Sequence, residues 1–396
     1  MGKLKKKNLF IEINDDNFLV AVGKHDDELN FEIIERETFS PSGFKKGKVV
    51  DLDASTTNLK KTINKIENKL NLLFSEVNLI VDQSDIDCIN VNGFKKLNGN
   101  QILSQDISYI LNDIKSKLVD AEKNKKIIHL FNTNYLLDNK KLKNLPIGLY
   151  GDFYSHQLTF FLMNDNELKN IKTLLNKCNL NVNKIILKSF TEGVKIIHKD
   201  RKDTFIKIKI GKNETNLSCF YNSAFCFFQK FNFGSEIILK DISKVCSLEL
   251  AKVQNIILGT DFKISDKNMY VDKKYFDEKN FRKISLKHII EICSARIEEM
   301  INITFNQNKN LKLFKEKETL LYLDIEDKNV FYKFKDIFGS QFSKCNLIFC
   351  NSVDEDNFSS IKIFGELLIK GWTREAIPIV NKKKSWISRI FSGLFD

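Results

Sequence analysis

The 396-residue chain is poor in proline (three) and in histidine (five). It has no glycine- or serine-rich run, so no obvious flexible linker parts it into separate large domains. Its eight cysteines (Cys88, Cys178, Cys219, Cys226, Cys246, Cys293, Cys345, Cys350) stand singly, mostly within apolar runs, and no Cys-x-x-Cys occurs. That spacing argues against a metal site or a disulfide framework and for buried thiols in a reducing compartment. Lys3 to Lys7 precede an apolar run broken by Glu12, Asp15 and Asp16, which is not a signal peptide. Lys6 spoils the myristoylation pattern after Gly2. A cytoplasmic protein is expected.

What the chain does have is apolar residues, 42% of the total with 33 phenylalanines, and a net charge of +12. The length suffices for two or more cores, and the composition excludes disorder as the main state. The charge suits nucleic acid, an anionic membrane or an acidic protein tail alike. No nucleic-acid motif and no basic stripe interleaved with aromatics is present, so the membrane is preferred.

Periodicity orders the rest. Asn8 to Ile13 and Phe18 to Val22 read as a strand pair around the polar tip Asn14-Asp15-Asp16-Asn17, and a third strand follows near Phe31 to Glu35. After the basic loop Ser42 to Asp51, Asp53 or Ser55 is the expected cap of a helix carrying Leu59, Ile63, Ile66, Leu70 and Leu73. Leu79 to Val81 is the next strand. From Asp82 to Met163 the pattern changes: a helix bears Ile107, Ile110, Leu111, Ile114 and Leu118, and strands Lys126 to Asn132 and Gln157 to Met163 flank a turn-rich segment. A helix with Leu168, Ile171, Leu174 and Leu175 and a strand Val182 to Leu187 then resume the pattern that precedes Asp82, which predicts that Asp82 to Met163 is an insertion. The second half starts again. Strands Phe205 to Ile210 and Leu217 to Phe220 surround the polar tip Gly211-Lys212-Asn213-Glu214-Thr215-Asn216, and Ala224 to Phe231 follows. Helices are expected at Ile238 to Val245, Ser247 to Ile257, from Ser285, Val330 to Ile337 and Ser359 to Ile369, with strands at Thr319 to Leu323 and Asn346 to Phe349. Two halves with the same opening predict a duplicated α/β fold.

The chain closes on Lys382-Lys383-Lys384-Ser385-Trp386-Ile387-Ser388-Arg389-Ile390-Phe391-Ser392-Gly393-Leu394-Phe395. Wound as a helix, its six large apolar residues fill one arc of about 180°. The segment is too short to span a bilayer, which takes about 20 residues. It reads as a tail that folds on a membrane surface, with Lys383, Lys384 and Arg389 toward anionic lipid and Trp386, Ile387, Ile390, Phe391, Leu394 and Phe395 in the headgroup boundary. The alternative is a terminal helix packed on its own domain; the linker-like stretch Pro378 to Asn381 favours the membrane.

The residues resemble FtsA, the bacterial cell-division member of the actin/Hsp70 superfamily. The resemblance covers nearly the whole chain and rests on Gly43-x-Lys45-Lys46-Gly47-x-Val49-Val50-Asp51, the Asn144 to Gly151 loop, Ala295-Arg296-Ile297-Glu298-Glu299 and Lys383-Lys384-Ser385-Trp386-Ile387-Ser388-Arg389, in that order and spacing. It implies an actin/Hsp70-like two-lobed α/β fold with an inserted SHS2-type subdomain and a C-terminal amphipathic helix. The implied layout is a first lobe at 1–81 and 164–202, the insert at 82–163, and a second lobe at 203–233 and 303–377, including the closing helix. A candidate partner-binding subdomain at 234–302 and a linker with membrane helix at 378–396 complete it. The implied role is to tether FtsZ filaments, by their acidic C-terminal tail, to the inner face of the cytoplasmic membrane at the septum. Self-association into protofilaments and contacts with other divisome proteins come with that role; nucleic acid does not. Arg282, Lys283 and Lys287 are the residues that could pair with the acidic tail, an ordinary solvated helix face being the alternative. Lys45 and Lys46 could meet a partner, but a solvated basic loop is the preferred reading.

The phosphate tips depart from the family. Actin-like proteins hold phosphates on two hairpin tips through backbone N–H groups, glycines and hydroxyls. The first tip, Asp-Ile-Gly-Thr-like in the family, is here Glu12-Ile13-Asn14-Asp15-Asp16; the second is Lys209-Ile210-Gly211-Lys212-Asn213-Glu214-Thr215-Asn216, and the adenosine loop is Asp324-Ile325-Glu326-Asp327. Carboxylates facing a triphosphate repel it. The expected nucleotide site is therefore degenerate, built around Asn14, Asp16, Gly211, Thr215 and Gly234, with ATP and Mg²⁺ implied by the resemblance alone and no catalysis. Lys209 and Lys212 holding phosphates by another geometry is the alternative. Two other readings of the fold remain: a pilus-assembly scaffold of the PilM type, and a sugar or acetate kinase, against which the degraded tips argue.

Overall fold

Asn8–Ile13 is buried from Leu9 onward on both faces, as a central strand of a covered sheet must be. In the computed structural model it forms β1, the middle of a five-stranded sheet. Residues 6–375 are described, apart from 15–16, 41, 46, 83–84, 263–268, 277–281, 313, 315–318 and 351–355. The membrane-tail residues Lys383, Lys384, Trp386, Ile387, Arg389, Ile390, Phe391, Leu394 and Phe395, and Asp16 of the first tip, lie outside them. The chain divides into two units, Met1–Asp203 with Phe220–Phe228 and Asp356–Asp396, and Thr204–Cys219 with Gln229–Glu355.

In the first unit β1 pairs antiparallel with β2 (Phe18–His25), which pairs with β3 (Phe31–Phe39). The short pair β4 (Phe44–Lys45) and β5 (Lys48–Val49) leads into α1 (Leu52–Leu70). Asp51 caps α1, its side chain accepting from the N–H groups of Asp53 and Ala54. This corrects the expected cap: the chain enters the helix two residues earlier, and Ser55 instead turns its hydroxyl to Asp51 O and Ser42 O. Leu59, Ile63 and Ile66 are buried, but Leu73 lies beyond the helix end and is exposed. β6 (Glu76–Val81) runs parallel to β1.

The chain then leaves the sheet. β7 (Ile86–Lys96), α2 (Ser104–Ala121), β8 (Lys125–Leu137), β9 (Lys140–Leu142) and β10 (Phe153–Asn164) build a separate four-stranded sheet, order β7-β10-β8-β9, whose core includes Ile107, Ile110, Leu111 and Ile114 of α2. After this insertion α3 (Asp165–Lys177), capped by Asn164, returns the chain to β11 (Asn181–Leu187), which pairs parallel with β6. The first sheet thus has the order β11-β6-β1-β2-β3. α4 (Lys188–Asp200) follows without a break.

The second half of the chain repeats this topology. β12 (Phe205–Ile210), β13 (Thr215–Tyr221), β14 (Ala224–Phe231), β15 (Leu320–Ile325) and β16 (Asn346–Cys350) form a sheet in the order β14-β13-β12-β15-β16, with β12, β15 and β16 parallel. Strand for strand this is the order of the first sheet. Between β14 and β15 run α5 (Glu236–Val245), α6 (Leu250–Gly259) and α7 (Leu286–Ile301); α8 (Lys328–Ser340) joins β15 to β16. The expected duplication, with one insert, is the architecture observed.

The closing helix α9 (Ser359–Lys370) corrects the expected layout, which set it with the second half of the chain. It packs in the first unit: the ring N–H of His25 donates to Gly365 O at 2.8 Å, and the Phe31 ring occupies the space that a Cβ on Gly365 would need. Trp372, Arg374 and Glu375, just after α9, are held by several contacts. Asn222 and Ser223, the two-residue turn between β13 and β14, both have positive φ, as a type I′ hairpin requires. Their carbonyls accept from Arg374 Nε and Trp372 Nε1. Asn132 N–H donates to Arg374 O at 2.8 Å, and Glu375 bridges Phe131 of β8. Buried there, His129 accepts the Leu187 N–H on Nε2, so its proton sits on Nδ1 and donates to Glu375.

Candidate functional site

In open parallel sheets ligands collect outside the carboxyl ends of the strands. At that end of the first sheet, β1 delivers Asn14, β6 delivers Asp82 and β11 delivers Lys188, the first residue of α4. Asn14 is fixed by its N–H to Asn17 O at 3.0 Å and its amide to Asn17 Oδ1 at 2.9 Å. Lys188 Nζ donates to Asn14 Oδ1 at 2.7 Å and lies 3.0 Å from Glu12 Oε1 and 3.6 Å from Asp82 Oδ2. Glu12 is 1% exposed, and neither of its carboxylate oxygens accepts a well-aligned hydrogen bond. A buried carboxylate needs a counter-charge, and the ammonium supplies it. Lys188 is missing from the residues that sequence reasoning marks; the only sign of it there is a charge set directly behind an apolar strand.

The second tip brings Gly211, Thr215 and Gly234 together and turns them inward. Gly211 N–H donates to Glu214 O at 2.9 Å and Thr215 Oγ1 to Phe233 O at 2.7 Å. Gly234 lies so close to the carbonyls of Gly211 and Lys212 that no Cβ would fit. The next amides, Ser235 N–H and Glu236 N–H, donate to Gly211 O and Lys212 O at 2.9 and 3.0 Å. These are the N–H groups at the start of α5, the part of a helix best suited to an anion, and the tip's own carbonyls use them. Glu236 adds a carboxylate to that first turn. Lys209 pairs with Glu326 at 2.9 Å, whose other carboxylate oxygen lies against Gly211.

A nucleotide triphosphate with its metal needs free N–H donors for the phosphates and carboxylates for the cation. At the second tip the N–H groups of Gly211, Ser235 and Glu236 donate to backbone carbonyls, and at the first the described carboxylates of Glu12 and Asp82 face an ammonium. Neither tip, by its described residues, fits the group.

The three basic residues considered for an acidic partner each have an intramolecular contact. Arg282 Nη1 donates to Cys246 O at 3.4 Å, Lys283 Nζ stands 4.3 Å above the Tyr270 ring, and Lys287 lies 3.6 Å from Glu291. No described contact gathers them around a common point. Among the described residues no group of three or more His, Cys, Asp or Glu is placed to hold a metal ion. No described helix is long and apolar enough to cross a membrane.

Comparison with known proteins centres on the insertion. Residues 84–155 match the model of the SHS2 domain inserted in FtsA. The FtsA of Buchnera aphidicola subsp. Schizaphis graminum is 24% identical over 325 residues, which is 80% of this chain and 77% of that protein. The chain is a relative of FtsA. The FtsA of Neisseria meningitidis serogroup B is 20% identical over 75% of this chain and 72% of its own. Among solved structures, the PilM–PilN type IV pilus biogenesis complex aligns with a TM-score of 0.51 at 10% identity, covering 92% of this chain and 96% of that one. That likeness concerns the fold alone. The actin-like class with an SHS2 insert stands on these matches and on the repeated sheet order.

Proposed function

We propose that the chain is a cell-division protein of the actin-like class that gathers FtsZ filaments at the inner face of the cytoplasmic membrane and serves as a scaffold for divisome assembly. The observation that carries this reading is the insert. It lies between β6 and α3 and contains most of residues 84–155, which match the SHS2 domain inserted in FtsA, and relatives named as FtsA extend over most of the chain. The membrane end of the reading rests on the amphipathic pattern of residues 382–395 and its four basic residues. Each apolar side chain buried at the interface contributes roughly 1.5–3 kcal/mol, set against the entropy of ordering the tail, so the attachment is reversible. Lys383, Lys384, Trp386, Ile387, Arg389, Ile390, Phe391, Leu394 and Phe395 are the residues proposed to make it. In co-sedimentation with anionic liposomes, the protein is expected to pellet and to bring FtsZ down with it. Trp386→Glu places a charge in the apolar arc and is expected to abolish both. Pelleting indifferent to that substitution rejects the tether.

The scaffold is proposed to work without nucleotide turnover; in support, the described amides of the second tip and the described carboxylates of the first each have partners within the chain. A fluorescent ATP analogue titrated against the purified protein is expected to give no saturable signal in the micromolar range. Mg²⁺-dependent micromolar binding rejects the degenerate site. Arg282, Lys283 and Lys287 remain the proposed contacts for the acidic FtsZ tail: among the described contacts Lys283 meets a ring face and Lys287 one exposed glutamate, which an acidic peptide can replace.

A further inference from the structure

The contacts of Lys188 assign it a role that its sequence position does not suggest. We infer that its ammonium is a built-in cation standing where a divalent metal would otherwise be held, so that this crevice is closed by the chain's own charge. The inference rests on the reading that the crevice engages no phosphate, and deepens it. Three oxygen-bearing side chains surround one nitrogen: Asn14 Oδ1 at 2.7 Å, Glu12 Oε1 at 3.0 Å and Asp82 Oδ2 at 3.6 Å. Carboxylate and amide oxygens are the donor set of hard divalent cations. Glu12 is sealed in the core on the central strand, both of its oxygens lacking a well-aligned donor, so its charge must be met by a cation at this spot whatever the solvent offers.

The position of Lys188 makes the same point from the other side. It opens α4, where the helix dipole disfavours a positive charge. The carboxylates of Glu12 and Asp82 offset that cost, so the ammonium is held for them. A divalent ion entering the crevice would have to expel a side chain rooted beside it and strand its charge among the helix amides. The native protein should therefore bind such ions poorly, and removing the ammonium should open a site.

The test uses the full-length protein, stripped of metal, with Mn²⁺ as probe and no nucleotide present; free Mn²⁺ is read by its paramagnetic resonance. Lys188→Met is expected to bind one Mn²⁺ at least roughly tenfold more tightly than the native protein. Adding Glu12→Gln to that variant is expected to remove the gain. Lys188→Arg, which keeps the charge, is expected to match the native protein. Equal binding by native protein and Lys188→Met overturns the inference, as does a gain that survives Glu12→Gln. Should Lys188→Met fold only when Mn²⁺ is supplied, the inference stands; if it fails to fold with and without Mn²⁺, Lys188→Gln takes its place, and no gain there rejects the inference. Mg²⁺-dependent binding of the fluorescent ATP analogue to the native protein would sink the degenerate-site reading alone, since the Mn²⁺ comparison is made without nucleotide.

Discussion

Glu375→Ala is expected to lower the stability of the first unit by about 3–5 kcal/mol, the cost of leaving a buried charge without its partner. Glu375 Oε1 accepts from His129 Nδ1 at 3.1 Å and Oε2 lies 3.5 Å from Lys184 Nζ. All three side chains are at most 10% exposed. Burial alone would raise the pKa of Glu375, but the Lys184 charge and the His129 N–H outweigh it and hold the carboxyl below its ordinary value. Alanine leaves the Lys184 ammonium enclosed, and His129, held neutral by burial, loses the acceptor for its proton. The backbone consequence adds to this, because Glu375 is also where the segment after α9 bridges Phe131 of β8. The sign of the pH effect follows from the depressed carboxyl. Its contribution is complete above the ordinary value of 4.5 and is lost as the pH falls through the lower folded value. Urea denaturation should therefore show the full difference between native and variant at neutral pH, and a difference that shrinks well below pH 4.5. A constant difference across that range, or none, would mean that the carboxylate is not what binds this cluster.

Phe225→Ala is the second large effect, also expected at about 3–5 kcal/mol. The ring is completely buried. It stacks on Phe161 of β10 with centroids 4.4 Å apart and planes 6° off parallel. Phe220 lies 5.0 Å away, and Phe131 of β8 meets it edge-on at 5.9 Å. Phe190 of α4, at 6.1 Å, completes the cluster. Its neighbours belong to the inserted sheet, to α4 and to its own hairpin, so no single movement can refill the space. Close-packed interiors relax only partly around such a loss. Phe94→Ala serves as the control. Phe94 is 66% exposed and, among the described residues, stacks on Phe153 alone, so its removal should shift stability by no more than about 0.5 kcal/mol. Comparable losses for the two would show that the Phe225 cluster is not the joint between insert and hairpin.

Much of the element order is legible from residue spacing. The strands Asn8–Ile13 and Ala224–Phe231 end where their apolar runs end, and the helices carrying Ile107 to Leu118 and Leu168 to Leu175 stand on the expected faces. Two of the longer elements escape it. β7 runs through Asp87, Asn90 and Asn92, whose polarity hides a strand that carries the edge of the inserted sheet. α4 opens with Ser189, Thr191 and Gly193, weak helix formers that are helical because Phe190, Thr191 and Gly193 are buried against their neighbours. In both places packing overrides local preference.

The site divides along the same line. That the tips carry few glycines and hydroxyls, and that residues 382–395 form a basic, amphipathic stretch, can be read from composition and period, because turn chemistry and helical spacing act over a few neighbours. That Lys188 meets Glu12, and Glu375 meets His129, spans 176 and 246 residues of chain. Such meetings are set by where parallel strands end and how an insert folds back. Charge pairing depends on distance through space, and only the packed sheets establish it.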